Sequence, residues 1–151
     1  MKTTKRINFI RQKVLEAKEA LLQSIAVHFE ISLPIKLVTK DAIFLGAQGC
    51  FEGDKIKINR DLPLFWQLII LEHEIGHVKA DHKHRSGIIF QRFTTHHLST
   101  EERRAWDWVE ENPIMKGGVV DREVKKYIES LGTIGRQYGH VAEVMQIGWW
   151  Y

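Results

Sequence analysis

An α+β domain, in which a small, mostly antiparallel sheet packs on one central helix with further helices around it, is what this sequence of 151 residues predicts. Three observations carry the expectation. Apolar residues recur at helical spacing from residue 5 to 29, short β-prone runs punctuated by turns fill 35–59, and helical patterns return from residue 62 onward. The length suits a single domain spanning 1–151.

The first helix is read over 5–29. Ile7, Ile10, Val14, Leu21, Leu22, Ile25 and Phe29 mark one apolar face, with Lys, Arg and Glu between them. Pro34 ends this region. Ile35, Leu37, Ile43, Phe44, Leu45, Phe51, Ile56 and Ile58 then form strand-like runs over 35–59. Asp41, the Gly46–Gly49 segment and Gly53-Asp54 read as turns, and Gly53-Asp54-Lys55 is placed to close a hairpin between strands near 49–52 and 55–59. Asp61 and Pro63 suit the start of a helix over 62–80, with Leu64, Leu68, Leu71 and Ile75 on its core side. Residues 82–98 read as irregular and mobile. A second central helix follows over 99–112, stopped by Pro113, and shorter helices are expected near 119–131 and 138–147.

Composition narrows the classes of function. Apolar residues make up 44% and charged residues 27%, so the chain can bury a core as a soluble globular protein does. No apolar run approaches the 18 residues of a membrane span, and the basic N-terminus has no apolar stretch after it to make a secretory signal. A lone cysteine, Cys50, excludes an internal disulfide framework and suits a reducing, cytoplasmic setting. The net charge of +3 comes from 22 basic against 19 acidic residues, too mild and too dispersed to predict direct nucleic-acid binding.

Histidine is the unusual component. Six of the eight histidines fall between positions 73 and 97. Within them, His73-Glu74-Ile75-Gly76-His77 makes an H-E-x-x-H pattern inside a predicted helix. Positions i and i+4 share a helix face, so both imidazoles can reach one ion, and nitrogen ligands favour Zn2+. Glu74 lies next to the open coordination position, where a carboxylate can take a proton from water and pass it to a leaving amine.

A catalytic zinc site needs a third protein ligand. Asp81 lies about 12 Å of helix rise from His73, too far along a continuous helix to converge with it. His82 and His84 fall beyond the predicted helix end and have more freedom of reach. Lys83 stands where the extended pattern with a third histidine requires that histidine, which excludes that type. Cys50 is a further candidate. Glu102 starts the second central helix, and the small Ala105 on its face permits close approach to the first. Ser99-x-x-Glu102 is equally a capping box, so spacing alone leaves Glu102 open between the two roles. His96, His97, Tyr138 and His140 are candidates for stabilising an oxyanion.

Three stretches together resemble the ImmA/IrrE family of small zinc metallopeptidases. They are Ile56-Lys57-Ile58-Asn59, then Leu71 to His77, and the E-x-x-A-x-x-W pattern of Glu102, Ala105 and Trp108 followed by Glu110 and Asn112-Pro113; the likeness covers about residues 40–113. It implies a zincin-like fold, a zinc ion held by His73, His77 and Glu102, and Glu74 as the catalytic base. It also implies a regulatory protease with a narrow protein substrate, such as the helix-turn-helix repressor of a phage or other mobile element. One departure is Asp81, which stands where many members carry a histidine. Two other readings compete. One is a non-proteolytic interaction protein whose zinc is structural, with the 82–98 segment and Trp149-Trp150-Tyr151 serving a partner. The other is a deformylase-like amidohydrolase, which ligation by Cys50 would favour.

Overall fold

The computed structural model describes residues 2–80 and 95–150. Among the described residues, five α-helices and a three-stranded sheet make up an α+β fold. Helix α1 runs Lys2–His28, α2 Leu64–Lys79, α3 Thr95–Glu111, α4 Gly118–Tyr138 and α5 Val141–Trp150; the strands are β1 Ile35–Val38, β2 Gly49–Phe51 and β3 Ile56–Asn59. Among the described residues no helix is long and apolar enough to cross a membrane.

The predicted face of α1 is the buried one. Ile10, Val14, Leu21, Leu22 and Ile25 enter the core, with Ile7 and Phe29 at its margin. Lys18 occupies the same stripe and is fully buried; its Nζ has no hydrogen-bond partner among the described residues, and burial pushes its pKa down to about 8.

The sheet is mixed, where a mostly antiparallel one is expected from the sequence. Strand order is β1-β3-β2, with β1 parallel to β3 and β2 antiparallel to it. The β2–β3 hairpin forms as the turn residues predict: Glu52 N–H donates to the Lys55 carbonyl at 2.9 Å, and Gly53 takes φ 89°. The parallel pair arises because the chain leaving β1 passes over the end of β3 before entering β2. That crossover holds Ile43, Phe44 and Leu45, read from sequence as strand. It folds instead as two short 3-10 turns, Lys40–Ala42 and Phe44–Gly46, because i to i+3 hydrogen bonds from Ala42 to Thr39 and from Gly46 to Ile43 take the backbone groups a ladder would need. Gly46, at φ 66°, lets the second turn close.

Helix α2 lies against this sheet, and from Leu71 to His77 seven consecutive residues are buried. Leu64, Leu68, Leu71 and Ile75 face the core as predicted. The expected irregular segment shortens at its far end, since residues 95–98 already belong to α3; helix propagates readily backward from a nucleated run even through Thr and His. Residues 81–94, which include Asp81, His82, Lys83 and His84, lie outside the described residues. The helix read over 119–131 continues to Tyr138 and ends at Gly139, whose φ of 81° suits a helix C-terminus. Gly135 then lets α5 fold back, since a Cβ there would come within 2.5 Å of Val141 Cα.

Candidate metal centre

Two neighbours fix the position of α2. At its N-terminal end Asn59, the last residue of β3, acts as a junction. Its side-chain NH2 donates to Gln48 Oε1 at 2.8 Å, its Oδ1 accepts from Asp61 N–H at 2.9 Å, and its carbonyl accepts from buried Gln67 of α2 at 3.3 Å. At mid-helix, Glu72 is buried and its Oε2 accepts the backbone N–H of Met115 at 3.1 Å, tying α2 to the turn after α3.

On this anchored helix His73, Glu74 and His77 are all buried, and one ligand atom from each lies within 4.8 Å of the others. The two histidine rings are perpendicular, with centroids 4.6 Å apart, and their Nε2 atoms are 3.1 Å apart. Nitrogens bound tetrahedrally at 2.0–2.1 Å sit about 3.3 Å from each other, so the pair already has the spacing of two ligands on one ion. Without an ion, one tautomer permits a single N–H···N hydrogen bond between them. The donor set and the Nε2 spacing thus fit a divalent metal ion.

Both flanks of the histidine face are built by close backbone approach. On one flank is β2, where a Cβ on Gly49 would clash with Ile70 Cγ2 and meet Glu74 Cγ at 3.7 Å. The edge strand β2 therefore lies close beside Glu74. On the other flank is α3: a Cβ on Gly76 would come within 2.5 Å of the Ala105 carbonyl oxygen. Small residues at a helix crossing allow this distance, and Ala105 performs the part its size suggested. Trp106, next in α3, lays its indole on His73, centroids 4.5 Å apart and tilted 42°.

Glu102 belongs to α3, three residues before Ala105. Its carboxylate, and the side chains of His96 and His97, lie outside the described residues. Ser99 is the fifth residue of α3, so it does not cap the helix start, and the capping-box alternative for Glu102 loses its geometry. Cys50 is fully buried but sits one residue along β2 from Gly49, and alternation directs it to the sheet face away from α2. Tyr138 packs edge-to-face on Phe9 at 4.9 Å, and His140 Nδ1 lies 3.6 Å from Glu143, so both serve the packing of α1, α4 and α5.

Gly49, Gly76 and Trp106 are the site residues that sequence reasoning missed. Gly76 left a trace, because a glycine inside an otherwise strong helix costs about 1 kcal/mol against alanine and so marks a packing requirement. Comparison with protein-family models, with curated proteins and with solved structures finds no match for this chain.

Proposed function

We propose that this chain is a zinc-dependent peptidase acting on a specific protein in the cytoplasm, in keeping with its resemblance to the ImmA/IrrE family and with a repressor of the helix-turn-helix type as substrate. The observation that carries the reading is the pair of Nε2 atoms 3.1 Å apart on a buried helix, with buried Glu74 one residue along. Glu102, on the helix that crosses at Gly76, would complete the ligand set with His73 and His77.

A bound zinc ion would supply Lewis acidity, polarising the scissile carbonyl and making a water molecule more acidic. The chain's own residues do the rest. Glu74 accepts a proton from the attacking water and returns it to the leaving amine. Close packing at Gly49 and Gly76 would hold the helix face that carries His73 and His77 toward the ion. β2 is an edge strand beside Glu74, and an extended substrate segment would add to it as a further strand, a mode that suits a peptide better than a small amide.

Metal analysis together with a Glu74→Gln variant tests this. The expected outcome is one zinc per chain in both proteins, with cleavage of a cognate repressor only in the wild type. Cleavage by the Gln variant would remove Glu74 as base. A Co2+-substituted protein showing four protein ligands and no water would assign the metal a structural role instead.

A further inference from the structure

The histidine face of α2 extends beyond the histidines. Trp66, Ile70, His73 and His77 follow at spacings of four, three and four residues, which is one continuous helical stripe. Ile69 and Ile70 are half-buried along it, while Trp66 is 54% exposed and is steadied by an edge-to-face contact with Phe65. Trp106 rests on His73 and is still 46% exposed. Single exposed apolar side chains are ordinary; a run of them that begins on a metal ligand is not. The stripe is bounded by β2 at Gly49 and by α3 at Gly76, and Trp106 lies on His73, so a chain seated on Trp106 and running along the stripe to Trp66 also covers the histidine face. A permanently docked partner would close that centre, whereas a substrate leaves it.

We propose that Trp66 and Trp106 form two apolar subsites of this centre, and that it takes an extended peptide with bulky apolar side chains spaced to reach both. The proposal rests on the peptidase reading above and names its specificity. Trp66 precedes His73 by seven residues, about 10.5 Å along the helix axis. An extended chain advances about 3.3 Å per residue and its side chains alternate between two faces, so only even separations put both side chains toward α2; four residues, about 13 Å, comes nearest, with the side chain near Trp106 beside the bond held at His73 and His77.

The test uses the full chain, zinc-loaded, as the Glu74→Gln variant, which would bind without turnover. The probes are fluorescein-labelled decapeptides of Ala and Ser carrying one Phe, or two Phe at separations of one to six residues, read by fluorescence anisotropy. The expected result is that two Phe four residues apart bind about tenfold more tightly than one Phe, while two Phe three residues apart, facing opposite ways on an extended chain, bind no better than one. Adding Trp66→Ala should abolish that advantage, Trp106→Ala should weaken every Phe peptide, and Trp150→Ala, which removes an indole 64% exposed on α5, should change nothing. Circular dichroism confirms that each variant is folded. Affinity independent of spacing, selectivity that survives Trp66→Ala, or no binding at all overturns the proposal. Self-association lost on Trp66→Ala overturns it too, by giving the patch to a second copy of the chain. Wild-type turnover is scored separately: spacing-selective binding without cleavage removes the peptidase reading alone, and cleavage without spacing preference removes the subsites alone.

Discussion

Lys18 sits four residues from Val14 and four from Leu22 on the buried stripe of α1, and burial brings its pKa from 10.5 to about 8. A lowered lysine pKa means the unfolded chain binds the proton more tightly than the folded one. The cost to folding is therefore full below pH 8, shrinks as pH rises from 8 to 10.5, and is absent above that. Lys18→Met, which keeps the stem and removes the charge, should raise stability at pH 7 by about 3 kcal/mol. It should also flatten the rise between pH 8 and 10.5; urea unfolding at pH 7 and pH 10.5 measures both. At this same scale the sequence was most informative about His73, Glu74 and His77, because a four-residue spacing on a helix is local information. It was silent about Trp106, whose contact with His73 depends on how two helices cross.

The crossing of α2 and α3 at Gly76 and Ala105 is the element-scale feature on which the centre depends. Gly76→Ala would gain about 1 kcal/mol in helix propensity. It would also drive a methyl group into the backbone of α3, and backbone cannot swing aside as a side chain can. We expect a net loss of about 2–3 kcal/mol by chemical denaturation, of the size seen for overpacked cores, with zinc affinity at least tenfold weaker. Gly132→Ala in α4 is the contrasting case. Its Cβ would meet only the flexible end of Arg136, at 3.2 Å, so stability should hold or rise. Element existence was largely legible: α1, the β2–β3 hairpin and α2 lie close to where periodicity and turn residues put them. Ile43, Phe44 and Leu45 misled because apolar content alone does not separate a strand from a tight crossover. Only the parallel pairing of β1 with β3, a non-local fact, makes a crossover necessary there.

At the scale of the whole molecule the buried polar groups of α2 join separate regions. Asn59 and Gln67 tie it to the sheet, and Glu72 ties it to the turn at Met115. Replacing Glu72 by Ala should leave the Met115 N–H without its acceptor and lower stability by about 1–3 kcal/mol. It should do so without abolishing zinc binding, and calorimetry with metal analysis separates the two effects. A zinc ion bound as proposed should in turn stabilise the fold, by about 2.7 kcal/mol at a hundredfold excess over Kd, in a form that a chelator reverses and that His73→Ala eliminates. The α+β class was readable from composition and pattern. The mixed sheet was not, since strand order is decided by which edges meet in space.

Seven successive buried residues, Leu71 to His77, have a consequence for kinetics. Backbone amides of a buried, hydrogen-bonded helical segment exchange with solvent only when much of the molecule opens. The amides around His73 and His77 should therefore be among the slowest in the protein to take up deuterium, while those of the 3-10 crossover exchange early. The two histidines would then be carried by the last part of the chain to come apart. Their lifetime as a pair, with or without an ion between them, would be the lifetime of the fold.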